Sequence, residues 1–235
     1  MARKPQRSSR DKSAQTPTPP PPGGTTREKI IAAFMALLAE KRFETIGFGD
    51  ISARAGVSLP DCREEFGSTL AILAAHMKQL DRAVLGRADA DMADEPPRER
   101  LFDVLMRRIE LMTPHKEAVR SLVRSASRNP GLGFALNGLA VRSQTWMLTA
   151  ADIDAAGPRG MIRAQGLAML FASVLRTWVD DEDEGSARTL AALDRALARG
   201  QRWSGMLNDL CRLSPGRCLR RRRRSRHEDE EPAAA

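Results

Sequence analysis

The chain has 235 residues, 42% hydrophobic and 29% charged, with a formal net charge of +8. That apolar content suffices for one sizeable core or for a small head plus a body. No run of 18 apolar residues is present, which excludes a membrane-spanning helix.

The positive charge sits in the tails. Residues 1–24 carry five basic side chains against one acidic, residues 212–235 eight against four, and residues 25–211 twenty-five of each. The basic balance therefore says nothing about the face of the folded part. The N-terminus is polar and lacks the apolar middle of a secretory signal, so export is not expected. Three cysteines, Cys62, Cys211 and Cys218, show no metal-ligand spacing, and a reduced, cytoplasmic setting is expected.

Residues 1–24 end in Thr16-Pro-Thr-Pro-Pro-Pro-Pro-Gly-Gly24 and read as a disordered basic arm. Helical periodicity then begins. Thr25 or Thr26 caps a helix with Ile30, Phe34, Leu37 and Leu38 on one face, stopping near Arg42. A short helix fits Phe48 to Ala55, burying Phe48, Ile51 and Ala55, and Gly56 ends it in a tight turn. Ser58 caps a third helix running towards Phe66. A fourth starts after Ser68, carries Leu73, Met77, Leu80 and Val84, and runs to about Asp89. Asp94-Glu-Pro-Pro-Arg98 punctuates the chain. Beyond it, helices are expected at about 98–112, 115–128, 132–151, 158–180 and 186–211. From Arg212 onward the sequence is low-complexity, with Arg220 to Arg224 followed by an acidic cluster, Glu228 to Glu231, and reads as a disordered tail. The arginine run offers at most a weak, salt-sensitive contact to nucleic acid or anionic lipid.

The stretch Thr26 to Leu85 resembles the TetR family of bacterial regulators. The resemblance rests on Phe43, on Asp50-Ile-Ser-Ala-Arg-Ala-Gly-Val-Ser58, and on Phe66-Gly-Ser68 followed by Leu70 to Leu73. It implies an all-α protein: a head at 25–89 with a helix-turn-helix at 47–66, and a ligand-binding and dimerisation body at 98–211. It also implies that the helix at 58–66 enters the major groove of double-stranded DNA at a pseudo-palindromic operator. The DNA-facing set is then Gly47, Arg54, Ser58, Leu59, Pro60, Asp61, Arg63 and Thr69. Arg63 is suited to a guanine edge. Family members usually carry a hydroxyl at the place of Gly47, Thr and an aromatic where Asp61 and Arg63 stand, and Lys at the place of Thr69. Residues 58–66 hold one arginine against three carboxylates, a net −2 that works against phosphate.

The body shows no catalytic signature. His76, His115 and His227 are isolated in sequence, Gly131-Leu-Gly133 is too short for a phosphate loop, and Asp180 to Glu184 reads as a solvated loop. No enzyme activity, cofactor or metal is expected. Leu167, Leu170, Phe171, Val174, Leu175 and Trp178 form one apolar band, and Leu190, Leu193, Leu197, Trp203, Met206, Leu207 and Leu210 another. The resemblance implies that these last two helices pair with their copies in a homodimer. A pocket for a small apolar effector is expected among Phe102, Met106, Ile109, Met112, Phe134, Leu139, Trp146 and Met147, unless these residues simply pack as core.

A second, shorter resemblance involves Leu175 to Asp180 and Glu184 to Arg195. It is similar to the C-terminal helices of the lipid-binding ubiquinone-biosynthesis proteins, which share the TetR fold without using it on DNA. Two functions therefore stand open: a DNA-binding regulator, and a lipid- or quinone-related accessory protein.

Overall fold

The computed structural model describes residues 24–87, 92, 94–183 and 185–213, with side chains as far as residue 200. The readings made for 1–23 and 214–235 lie outside the described residues, as does the side chain of Cys211. Among the described residues the elements are helical: α1 (Thr26–Glu40), α2 (Phe48–Ala55), α3 (Leu59–Glu65), α4 (Thr69–Leu85), α5 (Pro97–Met112), α6 (Lys116–Arg128), α7 (Pro130–Ala150), α8 (Gly157–Val179) and α9 (Ala187–Leu213). None is long and apolar enough to cross a membrane.

Local chemistry explains where these helices start. Thr25 and Glu28 form a reciprocal capping box on α1, at 2.9 and 3.2 Å. Ser68 Oγ accepts the Ala71 N–H of α4 at 3.1 Å. The break expected at Asn129-Pro130-Gly131 falls at Asn129, and α7 starts directly at Pro130. Asn129 Oδ1 caps the Leu132 N–H at 3.0 Å and Pro130 sits in the first turn, where its missing donor costs nothing. Asp181, expected in a solvated loop, is buried and caps α9: Thr189 donates both its N–H (2.9 Å) and its hydroxyl (2.7 Å) to Oδ2. The Thr189 hydroxyl holds the Asp181 carboxyl below its usual range.

Two cores form. The head core gathers Ile30, Phe34, Leu38, Ile51, Ala55, Cys62, Phe66, Ile72 and Leu73. It also includes Ala118 of α6, with Leu122 of α6 and Leu136 of α7 packed against it. This explains why α1 buries more than the expected stripe, since Ile31, Ala33 and Met35 are also buried. The other face of α1 lies against α6. Ser121 Oγ donates to Lys41 O at 2.8 Å, and Phe43 N–H donates to Ser125 Oγ at 3.3 Å. The far side of α6 grips the body. Lys116 Nζ and Arg120 Nη2 donate to the carbonyls of Asp181 and Val179, at the carboxyl end of α8, where cations suit the helix dipole. Leu80 and Val84 of α4 in turn belong to the body core.

The second head-to-body contact is a buried ion pair. Asp81 of α4 accepts from Arg108 Nη1 of α5 and from Ser143 Oγ of α7, the latter at 2.7 Å. Arg108 is 2% exposed, and its guanidinium carbon lies 5.8 Å from the Phe171 ring centre. Close by, the rings of His76 (α4) and His115 (the 3-10 turn before α6) meet edge to face, 4.8 Å between centres. Burial, then the neighbouring His115 and Arg108, push the His76 pKa down to about 4. Burial lowers His115 as well.

The body core contains Leu105, Ile109, Met112, Met147, Leu148, Leu167, Phe171, Val174, Trp178, Leu193 and Leu197, with Phe102 and Met106 packed against it. Two expectations for the effector pocket change here. Phe134 is 82% exposed and Trp146 53% exposed, so neither lines the interior. The inward face of α7 runs through Ser143, Gln144, Met147 and Leu148. At 100° per residue, Trp146 cannot share the direction of Met147. The expected dimer band also turns inward: Leu167, Phe171, Val174 and Trp178 of α8 and Leu193 and Leu197 of α9 are core. The apolar side chains left outside on α8 are Met161, Ile162 and Met169.

Two outcomes follow from this junction. Replacing Asp81 with Ala strands the Arg108 charge and should cost about 3–5 kcal/mol in urea unfolding. The double variant Asp81→Ala/Arg108→Met should recover part of that loss, and a purely additive loss would mean that the two charges do not act as a pair. For pH, a His whose folded pKa lies below its ordinary 6.5 binds a proton more readily unfolded. Stability is therefore intact above pH 6.5 and falls by up to about 1.4 kcal/mol per pH unit as pH drops towards 4. A His76→Leu protein should show a visibly flatter stability profile in that window.

Candidate nucleic-acid interface

The head presents a helix-turn-helix. α2 opens at Gly47, which has no side chain to cap it; Asp50 Oδ2 instead reaches back to accept the Gly47 N–H at 3.1 Å. Gly56 closes α2 in the left-handed region, φ 64°, a conformation cheap only for glycine or asparagine. The turn is locked by Ser52 Oγ donating to Val57 O at 2.7 Å. Ser58 then caps α3: its Oγ accepts the Asp61 N–H at 3.2 Å, and Asp61 Oδ2 accepts from the Ser58 hydroxyl at 2.6 Å and its N–H at 3.3 Å. Asp61 thereby serves the helix start, where the dipole favours a carboxylate.

α3 is anchored on one side only. Cys62 is fully buried beneath it, and burial pushes its thiol pKa up, keeping it a protonated core filler. At the carboxyl end, Arg27 of α1 lies 4.4 Å from the Phe66 ring centre and pairs with Glu65 at 3.1 Å. Leu59, Pro60, Asp61, Arg63 and Glu64 all face solvent, Leu59 with 54% of its surface exposed. Arg63 makes no hydrogen bond or ion pair with any described residue, and its guanidinium runs beside Gly67. Thr69 begins α4 just beyond, half-buried.

The expected set thus divides. Leu59, Pro60 and Arg63 stand on one open surface, with Thr69 at its edge. Ser58 and Asp61 are occupied in the cap, and Gly47 offers an N–H already taken by Asp50. Arg54 is also committed elsewhere: both guanidinium ends grip the Glu40 carboxylate, at 2.9 and 2.8 Å. That hydrogen bond holds the Glu40 carboxyl below its ordinary range. Glu40, fourteen positions earlier, and Arg27, thirty-eight before Glu65, had no sequence signal to reveal them. Asp50, three residues after the helix start, has capping-box spacing and was findable. Among the described residues no cluster of three or more metal-binding side chains occurs.

The carboxylates of α3 count for less against an anion than their formal charge suggests. Asp61 is internally bonded and Glu65 faces Arg27, leaving Glu64 and Arg63 as the charges without a partner among the described residues. The Arg27–Glu65 pair is solvent-exposed, so its compensation is modest.

No protein-family model matches the chain, and no curated protein aligns with it. Solved structures do. A TetR transcriptional regulator from Nitrosomonas europaea ATCC 19718 superposes with a TM-score of 0.59 at 22% identity, covering 76% of this chain and 99% of that one. A TetR transcriptional regulator from Rhodococcus sp. RHA1 gives 0.51 at 21% identity, covering 73% and 96%. A TetR-family regulator from Streptomyces coelicolor gives 0.50 at 16%, covering 85% and 97%. At these identities the likeness establishes the fold: this chain has the TetR-regulator architecture of a helical head on a helical body.

The Arg54–Glu40 pair lends itself to a double-mutant cycle by thermal melting. Arg54→Ala and Glu40→Gln should each cost no more than about 1 kcal/mol, and the double variant should cost little more than either alone. Independent, additive losses would refute their coupling.

Proposed function

We propose that this chain is a dimeric DNA-binding transcriptional regulator that reads a pseudo-palindromic operator with α3 and responds to a small effector held in its body. The observation that carries this reading is the open face of α3. Leu59, Pro60 and the unpaired Arg63 project from a helix whose other side is fixed by Cys62, the Ser58 cap and the Arg27–Phe66 stack. An apolar side chain suits a thymine methyl and a free guanidinium suits the guanine edge. The shared fold with TetR regulators supports the same reading. A DNA partner is in keeping with a cytoplasmic protein.

The exposed Met161, Ile162 and Met169 on α8 supply an apolar surface for a second copy, and a two-fold pair of heads suits a two-fold site. Effector binding would act by shifting the population of dimers with correctly spaced heads. The segment that resembles the ubiquinone-biosynthesis proteins has a packing explanation: Trp178 and Leu193 fill the body core and Thr189 caps α9 on Asp181. It gives the accessory-protein reading no separate support.

The test is selection of genomic fragments by purified protein at near-physiological salt, with the full chain and with residues 25–213. Enrichment of a palindromic site by the shorter protein is expected. Binding that is only salt-sensitive and vanishes with the tails would overturn the reading. On the selected site, Arg63→Ala should lower specific affinity by ~1–3 kcal/mol and relax one base position. Met169→Glu should convert dimer to monomer in sedimentation; a protein already monomeric before the change would refute the dimer.

A further inference from the structure

Apart from Leu59 on α3, the large apolar side chains left exposed among the described residues stand on two neighbouring helices: Phe134 and Trp146 on α7, and Met161, Ile162 and Met169 on α8. The short 151–156 connection lays these helices side by side and antiparallel. A reciprocal amide pair fixes their register. Asn137 Nδ2 donates to Gln165 Oε1 and Gln165 Nε2 donates to Asn137 Oδ1, both at 3.0 Å. In antiparallel helices, stepping back from Asn137 and forward from Gln165 leads the same way, so Phe134 and Met169 stand at one level. Ile162 stands on the other side of the pair. At 100° per residue, all three lie within about 60° of the amide pair round their own helices. Trp146 lies about 180° from Asn137 and takes no part. Gly138 and Gly166, beside the pair, are exposed, and a Cβ at either would meet nothing within 4 Å. The surface therefore carries protruding side chains and open places together, and residues 134–141 and 164–175 include no charged side chain.

The outward face of α9 is the opposite in character. Arg188, Arg195 and Arg199 are exposed and follow one another at spacings of seven and four, which places them on one stripe. Arg195 and Arg199 donate only to backbone carbonyls one turn earlier, and none of the three has a carboxylate partner among the described residues. A two-fold axis sets the same patch against itself. On α9 it would set cation against cation, and like charges brought together across an interface are costly. On α7 and α8 it sets apolar knobs against open places.

We propose that a second copy of this chain docks on the outward face of α7 and α8, across a two-fold axis near the Asn137–Gln165 pair, and leaves the arginine stripe of α9 in solvent. This rests on the dimeric reading above and says where the two copies meet. It departs from the pairing of the last two helices that the sequence resemblance implies. Three features select a second copy as the occupant. The face is self-complementary in shape, it is uncharged and so pairs with itself without repulsion, and it includes Met169 and Ile162, which already mark the dimer surface. Its size is adequate. Helices of 21 and 23 residues offer a strip roughly 30 Å long and 20 Å wide, about 600 Å² per copy and about 1,200 Å² for the pair, the lower end of what stable interfaces bury.

The experiment is sedimentation of the full chain over a range of concentrations, with circular dichroism of each variant to check its helix content. Phe134→Asp and Gly138→Glu should each raise the dimer dissociation constant at least about tenfold, because the two-fold axis places each new carboxylate twice in an uncharged interface. Both positions are exposed, and Glu is a better helix former than Gly, so Gly138→Glu keeps the test sound should Phe134→Asp fold poorly. The double variant Arg195→Glu/Arg199→Glu should leave the constant within about threefold of the parent, since these side chains stay in solvent. The placement is overturned if the arginine variant dissociates the dimer, or if a folded Phe134→Asp or Gly138→Glu protein dimerises as tightly as the parent. A dimer that Met169→Glu splits and these two do not keeps the dimeric reading and removes this placement alone. A chain that is monomeric at every concentration removes both.

Discussion

The structure depends on one interaction between oppositely charged side chains far apart in sequence. Asp81 leaves α4 and meets Arg108 of α5 in a setting where both groups are largely withdrawn from water. A buried pair of this kind contributes little net stability compared with an apolar replacement, but it tolerates no partial loss. Its value lies in registration. Ser143 shares the same carboxylate oxygen, so α4, α5 and α7 are fixed relative to each other by a single group. The position of α3 on one side and the shape of the body interior on the other both inherit that constraint.

The head commits most of the carboxylates of α3 to local contacts. Asp61 completes a cap and Glu65 faces a cation stacked on Phe66. The absent hydroxyl at Gly47 is covered in the same manner, by Asp50 reaching back to the backbone. These contacts keep the architecture of the turn while drawing charged groups away from the open surface of α3. Leu59 and Arg63 remain exposed on that surface.

The parts of this arrangement legible in the sequence are those set by neighbours along the chain. Gly56 and Ser58 announced the turn and α3, and Ile51 and Ala55 announced part of the head core. What was not legible depends on tertiary partners. Asp81 and Arg108 look like solvated charges until α4 and α5 are laid together. Arg54 looks free until Glu40 is placed beside it. Phe134 and Trp146 have the composition of pocket residues, but their angular position on α7 turns them outward, a distinction of one residue in register that average hydrophobicity does not reveal. The second face of α1 went unseen for a related reason: Ile31 and Met35 fall off the expected stripe and make sense only once α6 is known to lie against them.

The double duty of α6 bears on how such a protein can change over generations. Its Ala118 and Leu122 close the head core, while Lys116 and Arg120 hold the end of α8. A gene fragment ending after α4 would encode a head lacking one wall, with Phe34 and its neighbours uncovered. Exchange of heads between related genes would therefore succeed only when α6 travels with the head or when its inner face already matches the newcomer. The head and the body are thus coupled through α6 and would vary most independently at the exposed positions of α3, which neither core constrains.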